Sequence, residues 1–495
     1  MSNTATTPLP STALKRGAIT LTAANLLDFG LQFLLPVALV RLLPPAAFAD
    51  YRLAWLAIGS AMALAPFALP RSLFYFLPRS DAGRRAAIVR QTLLLLLSGL
   101  CAGLLLGPWN ALLPRSLRAM AGAAWFLPSF LAMWVAAGLA ELLPTARGDV
   151  PGQARLIVAL ALLRVALVAG AAIMGRAEIV FGALLAYAGV KLGVVLHHVG
   201  RHYGTPSPAD YAGALRQQLG YALPFGLASA LFLLRGQADQ WVAATLFPAT
   251  TFAAFSIGAV IMPLVALVRN SVSNAIAVRL SALEAGRDQA GMLRLNQRAN
   301  LASAFVLVPA LALVALLAEH IVSVVYTAKY AIAADVMRIN CLALLGVAVE
   351  VSTLTVVLNQ GRFLLGADAV LLPLGVGAGL LGASLWGVPG AALGNVVTLA
   401  AGNAFSFWRV ARVTGVPLRR LQQWGTLLRI LGAALGAAGL CTLLERAKLV
   451  CAPLPEALLL GAAFLALYLA MLGLAGLLPE ARALLGPAPA SPVSH

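Results

Sequence analysis

Apolar runs of about twenty residues recur from Gly17 to Leu478, and they constrain the fold of this chain more than any other feature. A helix of about 20 residues crosses the ~30 Å hydrocarbon core of a bilayer. A membrane β-barrel would instead show shorter segments of alternating hydrophobicity. Hydrophobic residues make up 61% of the chain and charged residues 11%, whereas soluble domains carry roughly 25% charged residues. The sequence therefore predicts an all-α polytopic membrane protein.

Hydropathy divides the chain into about fourteen spans. The first apolar run follows Lys15 and Arg16 and lacks a convincing cleavage site, so we interpret it as a retained helix and not a signal peptide. The predicted spans are 17–40, 52–77, 91–109, 119–143, 156–175, 179–199, 218–245, 252–278, 299–325, 336–358, 363–385, 388–408, 427–444 and 456–478.

The distribution of basic residues predicts the orientation. The net charge is +18, and of the 35 Lys and Arg residues 21 fall in one set of loops, nine in the other set and five within spans. Basic residues concentrate on the cytoplasmic side of membrane proteins. We therefore expect both termini in the cytoplasm. In a membrane protein this charge also favours an anionic substrate or anionic lipid over nucleic acid.

An internal repeat relates two halves of the chain. The stretch LLPPAAFADY (42–51) matches LFPATTFAAF (246–255) at an offset of 204 residues, and each follows the first span of its half. Six spans separate the copies, so the halves are parallel in the membrane, and a substrate site is expected between such halves. The predicted organisation is a cytoplasmic tail (1–16), an N-lobe (17–200), a cytoplasmic linker (201–216), a C-lobe (217–411), two extra helices (412–478) and a cytoplasmic tail (479–495).

Four stretches resemble the Wzx-type polysaccharide and O-antigen flippases of the multidrug/oligosaccharidyl-lipid/polysaccharide (MOP) exporter superfamily. The resemblance covers most of residues 15 to 412 and depends on the order and spacing of the stretches. The departure is Phe48-Ala49-Asp50 in the first loop, where a Gly is common before the aromatic residue. The stretches are VRLLPPAAFADYRL, YALPFGLASALFLLRGQADQWVAATLFP, VVYTAKYAIAADVMRI and GVPGAALGNVVTLAAGNAF.

The resemblance implies two six-helix lobes arranged in a V around a central cationic cavity, with two extra C-terminal helices. It implies translocation of an undecaprenyl-pyrophosphate-linked oligosaccharide from the cytoplasmic to the periplasmic leaflet of a bacterial inner membrane by alternating access, for surface polysaccharide synthesis. The expected protein is a transporter and not an enzyme. It would need no cofactor beyond a coupling ion, H⁺ or Na⁺. It would act as a monomer in contact with membrane lipid, alongside a polysaccharide polymerase and a chain-length regulator.

Five cations within spans are the predicted ligands of the pyrophosphate and glycan. A charge at the bilayer centre costs at least about 2.5 kcal/mol, so such residues usually face a cavity or a partner. Arginine also grips phosphate bidentately. Arg71 and Arg269 rank first because they lie on equivalent spans of the two repeats, and related flippases place cations there. Snorkelling to the surface is the alternative. The other candidates are Arg235, Arg164 and Lys191.

Acidic and amide side chains within spans form the second set of candidates. An acid in a membrane helix is an ion-pair partner, a neutral group or a coupling-ion site. Asp28 shares one helix face with Asn25 and Gln32, which predicts a cavity-lining H⁺ or Na⁺ site or else a polar helix–helix contact. Asp239 lies four residues after Arg235, which predicts an ion pair along one helix. Further in-span acids are Glu141, Glu350 and Asp368, and the predicted polar lining also includes Asn270 and Asn274.

Rival functions differ in the residues they need. A multidrug exporter of the same superfamily usually takes cationic substrates and would favour an acidic cavity. A glycosyltransferase or polymerase needs larger outer loops and an acidic pair for acid–base chemistry. The chain shows no phosphate-binding Gly loop with a Lys, which argues against an ATP-driven pump. Its four cysteines are scattered, so we expect no metal site. A lipid II flippase stays open as an alternative.

Overall fold

The protein is described here from a computed structural model, which covers residues 11–446 and 453–485. Within these ranges the chain forms helices joined by short turns, and no β-strand occurs among the residues described. This confirms the predicted all-α polytopic fold. Residues 1–10 of the predicted N-terminal tail, 486–495 of the C-terminal tail and the outer-loop residues 447–452 lie outside the described residues.

The chain packs into two compact units. The first unit comprises the described residues up to Leu234 together with Pro248–Thr250, and the second comprises Arg235–Phe247 and the described residues from Thr251 onwards. These units are defined by packing, whereas the predicted lobes are defined by a sequence repeat, so the lobe boundaries stay predictions.

Eleven helices lie wholly or mainly in the first unit. They are α1 (Ser11–Leu42), α2 (Pro45–Leu64), α3 (Leu69–Phe76), α4 (Ala82–Leu95), α5 (Ser98–Leu105), α6 (Arg115–Arg118), α7 (Phe126–Ala137), α8 (Leu143–Ala146), α9 (Val150–Ala172), α10 (Ala177–His202) and α11 (Ala214–Arg235). Short 3₁₀ turns at Leu77–Arg79, Gly138–Glu141 and Pro208–Tyr211 connect them.

The remaining helices lie wholly or mainly in the second unit. They are α12 (Ala238–Leu246), α13 (Ala249–Gly258), α14 (Ile261–Ala285), α15 (Gln289–Leu316), α16 (Ala318–Ile321), α17 (Ala333–Leu345), α18 (Ser352–Val357), α19 (Gly361–Ala391), α20 (Leu393–Thr414), α21 (Leu418–Leu421), α22 (Trp424–Arg446), α23 (Pro453–Leu474) and α24 (Leu478–Leu485). A π-helical turn at Val322–Tyr326 and 3₁₀ turns at Ala328–Tyr330 and Gly346–Ala348 complete the unit.

The helices reproduce the predicted spans, several of them in broken form. In the described part of the chain, eleven helical segments are long and apolar enough to cross a membrane, and α2 with α3, bent by 41°, forms a twelfth. The predicted spans 336–358 and 388–408 correspond to α17 with α18 and to α20. The protein is therefore a multi-pass membrane protein for which about fourteen spans is a consistent count.

The two copies of the repeat have the same local structure. α1 ends at Leu42 and α2 begins at Pro45, while α12 ends at Leu246 and α13 begins at Ala249, which are the same positions at the offset of 204. The matched phenylalanines Phe48 and Phe252 are both fully buried. The matched residues therefore form the turn and the first buried helical turn in each half.

Helices approach each other closely at glycines and pack through aromatic side chains. In the second unit the chain reverses at Gly387, whose φ of +65° favours glycine. On either side of this reversal the backbones of Gly382 and Gly390 touch, since a Cβ on Gly390 would lie 2.0 Å from the Gly382 carbonyl oxygen. In the first unit, Trp134 of α7 makes edge contact with Trp55 of α2 and packs on Tyr187 of α10. These contacts fix the helices that carry the charged residues.

Candidate functional site

An ion pair joins the first and fifth spans of the first unit. The Nη2 atom of Arg164 on α9 lies 3.0 Å from Oδ1 of Asp28 on α1. Gln32, one turn after Asp28, donates from Nε2 to the other carboxylate oxygen at 2.7 Å. Gln32 thus contacts Asp28 along the helix face they share, and Gln32 and Asn25 are both exposed. Arg164 is 8% exposed and Asp28 is 28% exposed, so the pair opens to the surface of the protein on the side of the acid.

A second ion pair lies in the same unit. Nζ of Lys191 on α10 is 2.5 Å from Oε1 of Glu141, and it also lies 4.5 Å from the ring centroid of Trp134. The Lys191 side chain is 4% exposed, so it does not snorkel to the surface. The charges of Asp28, Arg164 and Glu141 all act on Tyr187, one helical turn before Lys191. The first unit thus gathers two acids and two bases around one tyrosine.

In the second unit, Arg269 lies in a buried polar network. Its Nε donates to Oε1 of Glu350 at 2.7 Å, and its Nη1 donates to Oγ of Ser303 at 3.0 Å. Only 3% of the Arg269 side chain is exposed, whereas Asn270 and Asn274 are exposed. Arg269 therefore does not share one exposed polar face with Asn270 and Asn274. Its side chain turns towards Glu350, in the break before α18, while the two asparagines lie at the surface.

Glu350 is held at a break between helices. It lies between the 3₁₀ turn Gly346–Ala348 and α18. The hydroxyl of Ser352 donates to its Oε1 at 2.7 Å. Its backbone carbonyl accepts from the amide groups of Asn296 and Asn300 on α15, at 3.5 and 2.8 Å. These contacts satisfy a carbonyl that the helix break would otherwise leave without a partner.

Arg235 pairs with a residue other than the predicted one. Its Nε lies 2.9 Å from Oδ1 of Asp368 on α19, and its Nη1 donates to the carbonyl oxygen of Thr398 at 3.5 Å. The predicted ion pair with Asp239 is wrong, because the seventh span is interrupted. α11 ends at Arg235 and α12 begins at Ala238, so the spacing of four residues no longer places the two side chains on one helix face.

Asp239 is instead buried in the first turn of α12. It is 2% exposed, and its Oδ1 accepts from the backbone N–H of Gln240 at 2.9 Å. Its Oδ2 is buried and has no hydrogen-bond partner among the described residues. The N-terminal end of a helix stabilises negative charge.

Arg71 differs from the other four in-span cations. Arg164, Lys191, Arg235 and Arg269 each contact a carboxylate. Arg71 is exposed, and its Cζ lies 5.9 Å from the ring centroid of Phe225. Within the described residues it forms no ion pair.

A neutral polar network, which the sequence did not suggest, fixes α11 in the first unit. The buried Gln218 donates to the hydroxyls of Ser72 and Thr92 at 2.9 and 2.6 Å and accepts from Gln91 at 2.6 Å. All four side chains are buried. Ser303 and Thr398 were also missed. The available signal was the presence of both acids and cations within the predicted spans, which points to pairing.

Comparisons with known proteins were made at the level of sequence and of structure. No protein-family model matches the sequence. No curated protein matches it either.

Solved structures do match. A structure described as the lipid II flippase MurJ in an inward closed conformation aligns with a TM-score of 0.66 and 13% identity, covering 91% of this chain and 98% of that one. An inward-facing multidrug resistance MATE family transporter of the MOP superfamily aligns with a TM-score of 0.58 and 15% identity, covering 81% and 99%. A variant of the Vibrio cholerae MATE transporter VcmN gives a TM-score of 0.51, 15% identity and coverage of 81% and 99%.

These likenesses identify the fold. The chain has the helical fold of MOP superfamily transporters over most of its length. The membership of a Wzx-type family, which the sequence stretches suggested, stays a proposal.

Proposed function

We propose that this protein is a flippase that moves a polyprenyl-diphosphate-linked oligosaccharide from the cytoplasmic to the periplasmic leaflet of a bacterial inner membrane. The fold supports a transporter, because its structural neighbours are flippases and exporters. The observation that carries the substrate class is Arg71, an exposed arginine within a span that no carboxylate neutralises among the described residues.

The physical argument concerns the headgroup. A diphosphate and a glycan are too polar to cross hydrocarbon, whereas a polyprenyl tail can stay in lipid. A charged side chain exposed in a membrane helix is costly unless it meets water or an opposite charge. An unpaired guanidinium supplies a bidentate partner for a phosphate. The four paired cations cannot bind phosphate in this way unless they first leave their carboxylates.

Two other functions have specific support. A lipid II flippase is favoured by the likeness to MurJ, and its substrate would present the same diphosphate chemistry. A cation-coupled drug exporter is favoured by the likeness to MATE transporters and by Glu141, a 63% exposed acid that a cationic ligand could reach by displacing Lys191. For either transport reaction, Asp28 is the proposed site for a coupling H⁺ or Na⁺, since its carboxylate is partly exposed at the surface of the protein.

A deletion strain separates these functions. We expect loss of the gene to leave undecaprenyl-linked glycan on the cytoplasmic leaflet, with drug resistance unchanged. The leaflet is assayed by the accessibility of the glycan to a lectin in inside-out and right-side-out vesicles. Loss of drug resistance with normal surface glycan would contradict the proposal. Accumulation of lipid II in place of another glycan would favour the lipid II flippase.

A further inference from the structure

Five exposed residues form an arginine–aromatic face on the first unit. Arg71, Tyr75 and Arg79 follow one another at intervals of four residues along α3 and its 3₁₀ extension, so they share one side of the helix. Tyr221 and Phe225 have the same spacing on α11. All five side chains are exposed. We call this set the arginine–aromatic face.

The rings and guanidinium groups of this face lie in contact. The Tyr75 ring stacks on the Tyr221 ring with centroids 4.8 Å apart and planes at 18°. The Cζ of Arg79 lies 4.2 Å from the Tyr75 centroid, and Arg79 also donates to the Tyr75 carbonyl oxygen at 2.8 Å. Arg79 therefore orients Tyr75, while Arg71 lies one turn earlier beside Phe225.

The scaffold beneath the face is closely packed. Gln218, one turn before Tyr221, is fully buried in its network with α3 and α4. Gly226, next to Phe225, touches the backbone of Phe67, because a Cβ there would lie 2.6 Å from the Phe67 carbonyl carbon. The exposed rings therefore lie on α3 and α11, which cannot separate without breaking these contacts.

The face carries positive charge. Asp81 and Asp210 are the acids of the adjoining turns, and both are engaged in capping. Oδ1 of Asp81 accepts from the backbone N–H of Arg84 at 2.8 Å, and Oδ2 of Asp210 accepts from the backbone and hydroxyl of Ser207. Arg71 has no hydrogen-bond or ion-pair partner in the described part of the chain, and the partner of Arg79 is a neutral carbonyl.

We propose that the arginine–aromatic face binds the diphosphate and the first sugar of the lipid-linked substrate. Arg71 holds the diphosphate, while the stacked Tyr75 and Tyr221 rings, with Phe225, present apolar surfaces and hydroxyl groups to the sugar. Arg71 and Tyr75 are about 6 Å apart along the helix axis, which suits a phosphate and the sugar ring attached to it. Aromatic surfaces with a few polar groups are typical of ligand sites. This inference rests on the proposed function.

The test compares soluble diphosphate probes with and without a sugar. Full-length protein in nanodiscs is titrated with farnesyl diphosphate and with farnesyl diphosphate carrying N-acetylglucosamine or galactose, and binding is followed by microscale thermophoresis. We expect at least one of the sugar-bearing probes to bind about fivefold tighter than farnesyl diphosphate. Tyr75→Ala and Tyr221→Ala should each remove most of this difference and leave farnesyl diphosphate binding unchanged. Arg71→Ala should weaken all probes about tenfold or more.

Two control variants carry the same types of substitution outside the arginine–aromatic face. Tyr211→Ala and Arg115→Ala remove an exposed tyrosine and an exposed arginine of the first unit outside the face, and neither should change binding. If an alanine variant does not fold, Tyr221→Leu removes the stacking ring at similar volume, and Tyr221→Phe should retain sugar binding.

The outcomes separate this inference from the proposed function. Equal binding of all probes by the wild-type protein would overturn the sugar platform and leave the flippase proposal standing. Sugar-dependent binding that survives both tyrosine substitutions would also overturn it. Binding of no probe would overturn both proposals.

Discussion

The two units contain the same ion pair with opposite polarity. In the first unit the acid, Asp28, is on the first span of its half and the base, Arg164, is on the fifth. In the second unit the base, Arg235, is on the first span of its half and the acid, Asp368, is on the fifth. Arg164 and Asp368 are separated by 204 residues, the offset of the repeat. Both units therefore keep an ion pair between the first and fifth spans of the half. The acid and the base have exchanged helices.

A second pair of contacts extends the comparison. In each unit a glutamate at a 3₁₀ break in the fourth span binds a buried cation: Glu141 binds Lys191, and Glu350 binds Arg269. The exposed fraction of the glutamate is 63% in the first unit and 18% in the second. Likewise Asp28 is 28% exposed and Asp368 is 15% exposed.

The difference is one of access. The acids of the first unit are partly exposed at the surface of the protein, whereas the acids of the second unit are more shielded. Shielded pairs are costly to break, since removing one partner leaves an uncompensated buried charge. We infer that the pairs of the second unit hold structure and that the pairs of the first unit are the ones able to exchange their partners during transport.

The largest expected effect is on stability, from removal of Glu350. Glu350→Ala leaves Arg269 buried without a carboxylate, and we expect a loss of about 3–5 kcal/mol in the free energy of unfolding. Glu141→Ala should cost about 1 kcal/mol, because Lys191 keeps its contact with Trp134 and water enters from the exposed side. Unfolding in mixed detergent micelles measures both.

A double variant checks the cause. Arg269→Met combined with Glu350→Ala removes the stranded charge and should recover part of the loss. Equal losses of unfolding free energy from Glu350→Ala and Glu141→Ala would contradict the inference that only the second unit depends on its ion pairs for stability.

The next effect is on transport, from removal of the unpaired arginine. Arg71→Ala should abolish complementation of surface glycan, equivalent to a loss of about 1.5–3 kcal/mol in substrate binding, because a charge-assisted contact to phosphate is lost. Arg71→Lys should retain part of the activity, and protein levels in the membrane should be normal. Arg269→Ala should also abolish complementation, but with a reduced amount of folded protein. Full complementation by Arg71→Ala at normal expression would exclude it as a substrate ligand.

Exchanging the charges of Asp28 and Arg164 should have a smaller effect on stability. It also distinguishes a structural role of the pair from a role in transport. Asp28→Arg and Arg164→Asp should each cost about 1–2 kcal/mol of stability, because each places like charges together. The double variant recreates the polarity of the second unit and should recover the stability. It should still be inactive if Asp28 holds the coupling cation. A double variant with normal transport would show that this pair is structural, as in the second unit.

Hydropathy predicted the helical fold and the number of spans, and the match between 42–51 and 246–255 predicted the repeat, because these depend on length, composition and local pattern. The partners of the charged residues could not be predicted in this way. Arg235 and Asp368 are 133 residues apart in the chain, and they meet only because α12 and α20 pack against α19. The presence of both acids and cations within the predicted spans indicated pairing, but sequence spacing favoured the local partner Asp239.

The interruption at Gly236 and Gln237 was the second feature that sequence could not place. Apolar stretches flank the short polar segment RGQADQ (235–240), so hydropathy averaged over the whole stretch predicts one span from 218 to 245. A Gly within a helical pattern lowers helix stability by only ~1 kcal/mol and does not by itself require a break. The break is what directs Arg235 to Asp368 and leaves Asp239 in the first turn of a new helix.

The smallest effect is expected at Asp239. Asp239→Asn keeps the acceptor that binds the N–H of Gln240 and replaces the unpartnered Oδ2 by an amide group of similar size. The substitution also removes a buried charge, which opposes the loss of the favourable helix N-terminus. We expect a change below about 1 kcal/mol in stability and unaltered transport. Loss of transport with normal stability would instead show that the second unit too contains an acid with a role in the transport cycle, and the contrast in access between the units would then not separate coupling from structure.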